Sequence, residues 1–307
     1  MKKPFSSKRR STLAVSLAFG AVAALSSAST HGQRRNPLER PPRGNSPEES
    51  RVLAVLDEVH RTQRYLSVPE ADGRLLRMLV ESTGAKHVVA ATDSTFPPME
   101  FVDENKQIVG FDIDMFNAIA AAAGFTVEYK SVAWDGIFAG VAADKYDVVL
   151  SSVTILDERK EQMDFSEFYI NAGQILVVRS DLMDVDELKD LAGKTVGAQI
   201  ATTGAFEVEK FPEVTLKTYD DAGLAFEDLF NGRIQGVVID TPVAANYALQ
   251  NDKYKGALKI VGQPMTSELY GIVVKKGNKA LLDLINKGLA AIKESGKLAE
   301  LQDKWLK

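Results

Sequence analysis

From residue 88 onward, apolar and polar positions alternate in short blocks with regular punctuation. VVAAT (88–92), TVEYKSV (126–132) and YDVVLSSV (146–153) have the length and β-branched content of strands, the last apolar enough to be buried on both faces. EFVDENKQIVGF (100–111) reads as a short hairpin. DIDMFNAIAAAAG (112–124) reads as a helix capped by Asp112 and ended by Gly124, and WDGIFAGVAADK (134–145) as a second helix. Further strands are predicted at 175–179, 195–198, 215–218, 236–240, 259–262 and 270–275, with helices between them and a closing helix over 279–304. Alternating strands and helices imply parallel sheets covered on both faces, an α/β fold. About 220 residues of this pattern exceed what one small sheet uses, so two lobes are expected.

The first 87 residues have a different texture. Lys2, Lys3, Lys8, Arg9 and Arg10 precede an apolar run from Leu13 to Leu25 and an exit of small residues, Ser26 to Ser29. That order describes a secretory signal peptide over 1–29, its apolar run shorter than the roughly 20 residues of a membrane span. Arg9-Arg10 resembles a twin-arginine signal but lacks the usual Phe-Leu after the pair, so the general export route is favoured. Residues 30–49, rich in Pro, Arg and Asn, read as a linker, and 50–87 as a helical fragment with Val52, Val55, Leu56 and Val59 on one face. A soluble protein exported to the periplasm is expected.

Charge follows the same division. Residues 1–87 carry a formal +7 and 88–307 a formal −12, which together make the net −5. An acidic body does not suit binding to nucleic-acid phosphates. The chain has no cysteine and three histidines (His31, His60, His87), which excludes thiol catalysis, disulfides and Cys-ligated metals. No cofactor or metal is expected. Asp112 with Asp114, and Asp220 with Asp221, are the acidic pairs a metal could use, but the first pair suits capping and dipole roles at a helix start.

Two resemblances add to this. YLSVPEADGRLLRMLVESTGAKHVV, within 48–89, resembles the helical entry of class I O-methyltransferases, without the glycine turn that would hold their cofactor. VVAATDSTFPPMEFVDENKQIVGFDIDMFNAIAAAAG, then YDVVLSSVTILDERKEQMDFSEFYINAG, then VVIDTPVAANYAL resemble, in order, the periplasmic polar amino-acid-binding proteins of ABC importers (solute-binding protein family 3), with the glutamine-binding member nearest. This resemblance implies a type II periplasmic-binding-protein fold. Its two α/β lobes, 88–174 plus 265–307 and 177–262, would be joined by crossovers near 172–178 and 261–269 and close on a ligand like a hinged trap. It implies a free L-amino acid as ligand, a permease in the inner membrane as partner, and a monomer without catalytic activity. Two other classes fit the same scaffold: an enzyme similar to cyclohexadienyl dehydratases, with Asp93 or Glu100 as general acid, and a ligand-sensing domain, which the missing later membrane span disfavours.

The resemblance also implies roles. Arg159, one of three arginines in the body, stands five residues after Thr154 and would clamp the ligand carboxylate with its planar fork. Ser152 and Thr154 follow a buried strand at its carboxyl end, where open α/β sheets place ligands, and would add backbone and hydroxyl contacts. Thr202 and Thr203 match the carboxylate site of the second lobe, although Ala201 stands where glycine is common. Asp240 would take the ammonium group, staying ionised at neutral pH. Phe96 and Trp134 would wall the side chain, with Asp93 at its end. Gln199 and Ile239 stand where the glutamine binder is more polar, so the ligand is left open between glutamine-like and basic amino acids.

Overall fold

The computed structural model describes residues 87–307, which form one compact unit. The signal peptide, the linker and the helical fragment lie outside the described residues.

Two five-stranded sheets organise the unit. The first comprises β1 (His87–Thr92), β5 (Thr126–Ser131), β6 (Val148–Val149), β7 (Met163–Phe165) and β15 (Val273–Lys275), in the order β5-β1-β6-β15-β7. The second comprises β9 (Gln174–Arg179), β10 (Thr195–Gln199), β11 (Thr215–Tyr219), β12 (Gly236–Asp240) and β13 (Leu258–Val261), in the order β11-β10-β12-β9-β13. In each sheet three neighbouring strands pair in parallel, as the alternating pattern predicts. One strand in each, β15 in the first and β9 in the second, runs against the other four, which the all-parallel expectation missed. The reason is the crossing itself: the strand that enters a sheet from the bridge between lobes, β9 or β15, has no crossover helix to turn it parallel. The bridge is a small antiparallel pair, β8 (Ile170–Ala172) with β14 (Glu268–Tyr270). A three-stranded ribbon of β2 (Thr95–Phe96), β3 (Glu100–Val102) and β4 (Ile108–Val109) completes the β-structure.

Helix α1 (Phe111–Ala123) buries Phe111, Ile113, Met115, Phe116 and Ile119 on the first sheet, and Gly124 ends it in the left-handed conformation. It starts one residue earlier than the sequence suggests. Gly110 is its N-cap, at φ 135°, and a Cβ there would lie 2.2 Å from the Met99 carbonyl, so only glycine fits. Asp112 is therefore no cap: it sits inside the first turn, fully buried. Asp114 instead pairs with Lys304 at 2.6 Å and accepts from the Trp305 indole at 2.9 Å. Short helices α2 (Ile137–Ala142) and α3 (Asp157–Gln162) flank the first sheet; α4 (Thr203–Glu209), α5 (Ala222–Phe230) and α6 (Thr241–Ala245) belong to the second. The predicted closing helix is two, α7 (Lys279–Glu294) and α8 (Lys297–Leu306), because Gly296 takes a left-handed φ of 76°.

Both faces of each sheet are buried. Ala91, Val149 and Val273 pack under α2 on one side of the first sheet, while Ala90, Val148 and Val274 join the larger core on the other. In the second lobe Phe226 stacks on Tyr247 with centroids 3.9 Å apart. The two-stranded bridge β8–β14 carries the chain between the lobes.

Candidate functional site

The loops at the carboxyl ends of the strands in both sheets face one another across a cleft of about 350 Å³, open mouth included. All ten residues singled out in the sequence line it. From the first lobe come Asp93 and Phe96 after β1, Trp134 before α2, Ser152 and Thr154 after β6, and Arg159 on α3. From the second come Gln199 at the end of β10, Thr202 and Thr203 at the start of α4, and Asp240 at the end of β12. Glu100 and Ser151 line it as well. Ile239 does not: it is 3% exposed and packs into the core.

Arg159 donates from Nη1 to the Thr154 carbonyl at 3.0 Å, and its Cζ lies 5.2 Å from the Phe138 ring and 5.7 Å from the Trp134 ring. Burial lowers its pKa, while Glu268 and Asp240 oppose that fall. The guanidinium is thus held in place by a carbonyl and two rings, with donors to spare. Asp240 caps nothing with its side chain, which instead accepts a hydrogen bond from the Tyr270 hydroxyl. Desolvation, aided by Glu268, pushes its pKa up to about 6. The margin that keeps it ionised at neutral pH is narrower than an ordinary carboxyl would have.

Asp93 belongs to a second polar group. Its Oδ1 accepts from Thr95 at 2.8 Å and its Oδ2 from Gln199 Nε2 at 2.7 Å, a bond that crosses between lobes. Burial is the main cause of its raised pKa, and Asp221 adds to it. Gln199 also donates to the Asp220 carbonyl at 2.9 Å, and Asp221 caps α5 through Leu224 N at 2.9 Å. Asp220 thus contributes its backbone carbonyl and Asp221 its carboxylate to the local structure.

Trp134 is 7% exposed and sends its indole N–H toward the Ala201 carbonyl at 3.4 Å, also across the lobes. Ala201 has φ 55°, left-handed, which is why glycine suits this position. Thr202 is the N-cap of α4, accepting from Ala205 N at 3.3 Å and donating to the Gln199 carbonyl at 2.7 Å.

Beneath the Ser151-Ser152 loop lies an acid pair that sequence reasoning placed only in part. Ser151 Oγ accepts from Asp93 N at 3.0 Å and donates to Glu100 at 2.9 Å. Asp112 Oδ2 accepts from Ser152 N and from the Tyr169 hydroxyl, both at 2.9 Å. Ser152 itself is left-handed, φ 48°, and Asp112 fixes it there. Burial raises the pKa of both acids, Asp112 to about 6 and Glu100 well above the ordinary range, with Asp112 reinforcing the rise at Glu100. Both carboxyls are thus pushed toward their protonated forms by burial, Glu100 the more strongly because Asp112 lies beside it. Reading Asp112 as a capping residue missed this, because its hydrogen-bond partners lie 40 and 57 residues away.

Two α/β lobes hinged over a buried, acid-rich cleft define a ligand-trapping binding protein. The family of bacterial extracellular solute-binding proteins, family 3, matches residues 88–307, and the chain belongs to it. A probable histidine-binding protein of Neisseria gonorrhoeae is 34% identical over 220 residues, 70% of this chain and 81% of that protein. Among solved structures, an ancestral arginine-binding protein bound to arginine is 42% identical with a TM-score of 0.69, covering 72% of this chain and 98% of its own. An ancestral amino acid-binding protein, described as a precursor of cyclohexadienyl dehydratase, is 34% identical with a TM-score of 0.68, covering 74% and 98%. The family match starts at residue 88, so the methyltransferase resemblance within 48–89 finds no support in it.

Proposed function

We propose that this protein captures a free L-amino acid with a cationic side chain, arginine foremost, between its lobes and presents it to an ABC permease. The observation that carries the reading is the sorting of charge in the cleft. Arg159 and Asp240 share one electrostatic neighbourhood, whereas Asp93 shares another with Gln199 and Asp221. A zwitterion needs the first pair, Arg159 for its carboxylate and Asp240 for its ammonium. Ser152, Thr154, Thr202 and Thr203 supply hydroxyl and backbone groups around that end. A cationic side chain needs the second group, with Phe96 and Trp134 as flanking rings and Asp93 as terminal acceptor. Asp93 and Asp240 against the single Arg159 give the cleft a surplus of acid that a net-positive ligand relieves. The arginine and histidine named for its relatives agree with this class.

We take the protein to act in the periplasm as a non-catalytic monomer. The competing reading is acid-catalysed elimination with Glu100 as proton donor, since that carboxyl lines the cleft and burial raises its pKa. Thermal melting of the full chain against the proteinogenic amino acids tests the proposal. A ligand at about 100 times its Kd adds roughly 2.7 kcal/mol, which moves the Tm of a domain this size by about 5–10 °C. Arginine should do this, and Arg159→Ala should abolish it. No shift with any amino acid, or turnover of prephenate or arogenate, refutes the reading.

A further inference from the structure

Glu268 does not line the cleft, yet it touches residues that do. It lies on β14, the return strand of the bridge, and is 7% exposed. Its Oε2 accepts two hydroxyls, Thr154 Oγ1 at 2.7 Å and Thr203 Oγ1 at 2.8 Å. Thr154 belongs to the first lobe and Thr203 opens α4 in the second, so a single oxygen joins the two halves of the site. Its Oε1 accepts from Thr266 Oγ1 at 2.7 Å, and Thr266 Oγ1 in turn accepts from Gln174 N at 2.9 Å. Gln174 stands where the outbound crossover enters β9, and its Nε2 donates to Thr203 Oγ1 at 3.0 Å. The ring Gln174–Thr266–Glu268–Thr203 thus links both crossovers to the first residue of α4, and Thr154 attaches it to the other lobe.

We propose that Glu268 is a positioning residue that couples the half-sites of the two lobes, holding the cleft shut through its shared contact with Thr154 and Thr203. Lobes that swing apart about the β8–β14 bridge separate residues fixed to opposite sheets, and no one oxygen can keep both hydroxyls at hydrogen-bond distance through such a rotation. Opening therefore breaks one of two hydrogen bonds to a buried carboxylate, and these are of the stronger, charge-assisted kind. The carboxylate also makes each threonine hydroxyl a donor toward Glu268, which leaves Thr154 two oxygen lone pairs as acceptors and Thr203, already accepting from Gln174, one. Contacts made in the shut form and broken on opening slow ligand release more than they change capture.

This inference rests on the amino-acid-binding reading, and stopped-flow kinetics of L-arginine with the full chain tests the two separately. Glu268→Ala should raise koff at least tenfold with kon changed less than threefold. Glu268→Gln, which keeps the shape and one acceptor oxygen, should fall between it and wild type. A thermodynamic cycle adds a readout that lost packing would not move. Thr154→Val and Thr203→Val should be non-additive in their effect on koff in the wild-type background and additive when combined with Glu268→Ala. Unchanged koff in both Glu268 variants, a loss confined to kon, or additivity of the threonine pair in wild type would overturn the coupling role alone. Failure of wild type to bind any amino acid would overturn the binding reading, and the coupling role with it.

Discussion

Replacing Asp93 by asparagine separates a cationic ligand from a neutral one, because it removes a charge while keeping the shape and one acceptor oxygen. Asp93 is 5% exposed, with one hydrogen bond to each carboxyl oxygen. Neither partner is charged, so its negative charge has no counter-charge among its hydrogen-bond partners, and burial together with Asp221 keeps its pKa raised. A guanidinium brought to about 4 Å gains roughly 4 kcal/mol at an effective dielectric of 20. Stripping water from the cation offsets part of that, leaving about 1.5–3 kcal/mol, the usual worth of a hydrogen bond to a charged group. At 1.4 kcal/mol per tenfold, arginine should bind roughly 10–150 times more weakly to Asp93→Asn. Glutamine, which brings no charge, should change less than about threefold. Isothermal titration of both ligands against both proteins measures this. Equal losses for the two ligands, or a retained preference for arginine, would refute the assignment of Asp93 to a cationic side chain.

The buried acids give the ligand-free protein an unusual pH response. Asp112 and Asp240 rise from 3.8 to about 6 on folding, so the native state holds protons that the unfolded chain has lost. Stability should therefore increase as pH falls from about 7 toward 5, visible as a Tm several degrees higher, and Asp240→Asn should flatten the slope. Below about pH 4 the trend should reverse, since Lys217, Arg233 and Tyr219 hold Asp228 well below its ordinary value. Arginine affinity should weaken over the same fall, because the ligand ammonium needs Asp240 ionised; a pH-independent Kd between 7 and 5 would count against that role. Ala201→Gly should stabilise the protein by up to about 1 kcal/mol, because φ 55° strains an alanine by about 1–2 kcal/mol and the freer glycine chain returns part of the gain. Urea denaturation checks this, and a variant less stable than wild type would show that the loop is not strained.

The hydrophobic pattern sufficed for most strands of both sheets and for α1, whose Phe111-to-Ile119 face and terminal Gly124 are local signals. It misjudged the closing helix, where the break at Ser295-Gly296 interrupts an otherwise continuous apolar periodicity. The reversed strands were beyond it: β9 and β15 look like any buried parallel strand, and only the crossing between lobes turns them antiparallel. Among the site residues, Arg159, a rare type in the body, and Asp240, at a motif position before Thr241-Pro242, stood out in the sequence. Glu268 did not. Its one local trace is the spacing Glu268–Tyr270, two alternate positions of one strand that both turn inward.

By itself the sequence determined the α/β class, the two-lobe expectation and the acidic charge of the body, because period and composition are local properties of the chain, and its resemblance to a known family pointed to ten residues that meet at one cleft. The tertiary structure alone decided how the acids behave. Asp112 reads as a cap and folds as a buried partner of Glu100, and Asp240 reads as an ordinary carboxylate yet sits where ionising is costly. Glu268 becomes a joint between lobes because residues 154 and 203 come together on one of its oxygens. Desolvation and convergence depend on what packs around a group from distant parts of the chain, and neither quantity is written at the residue itself.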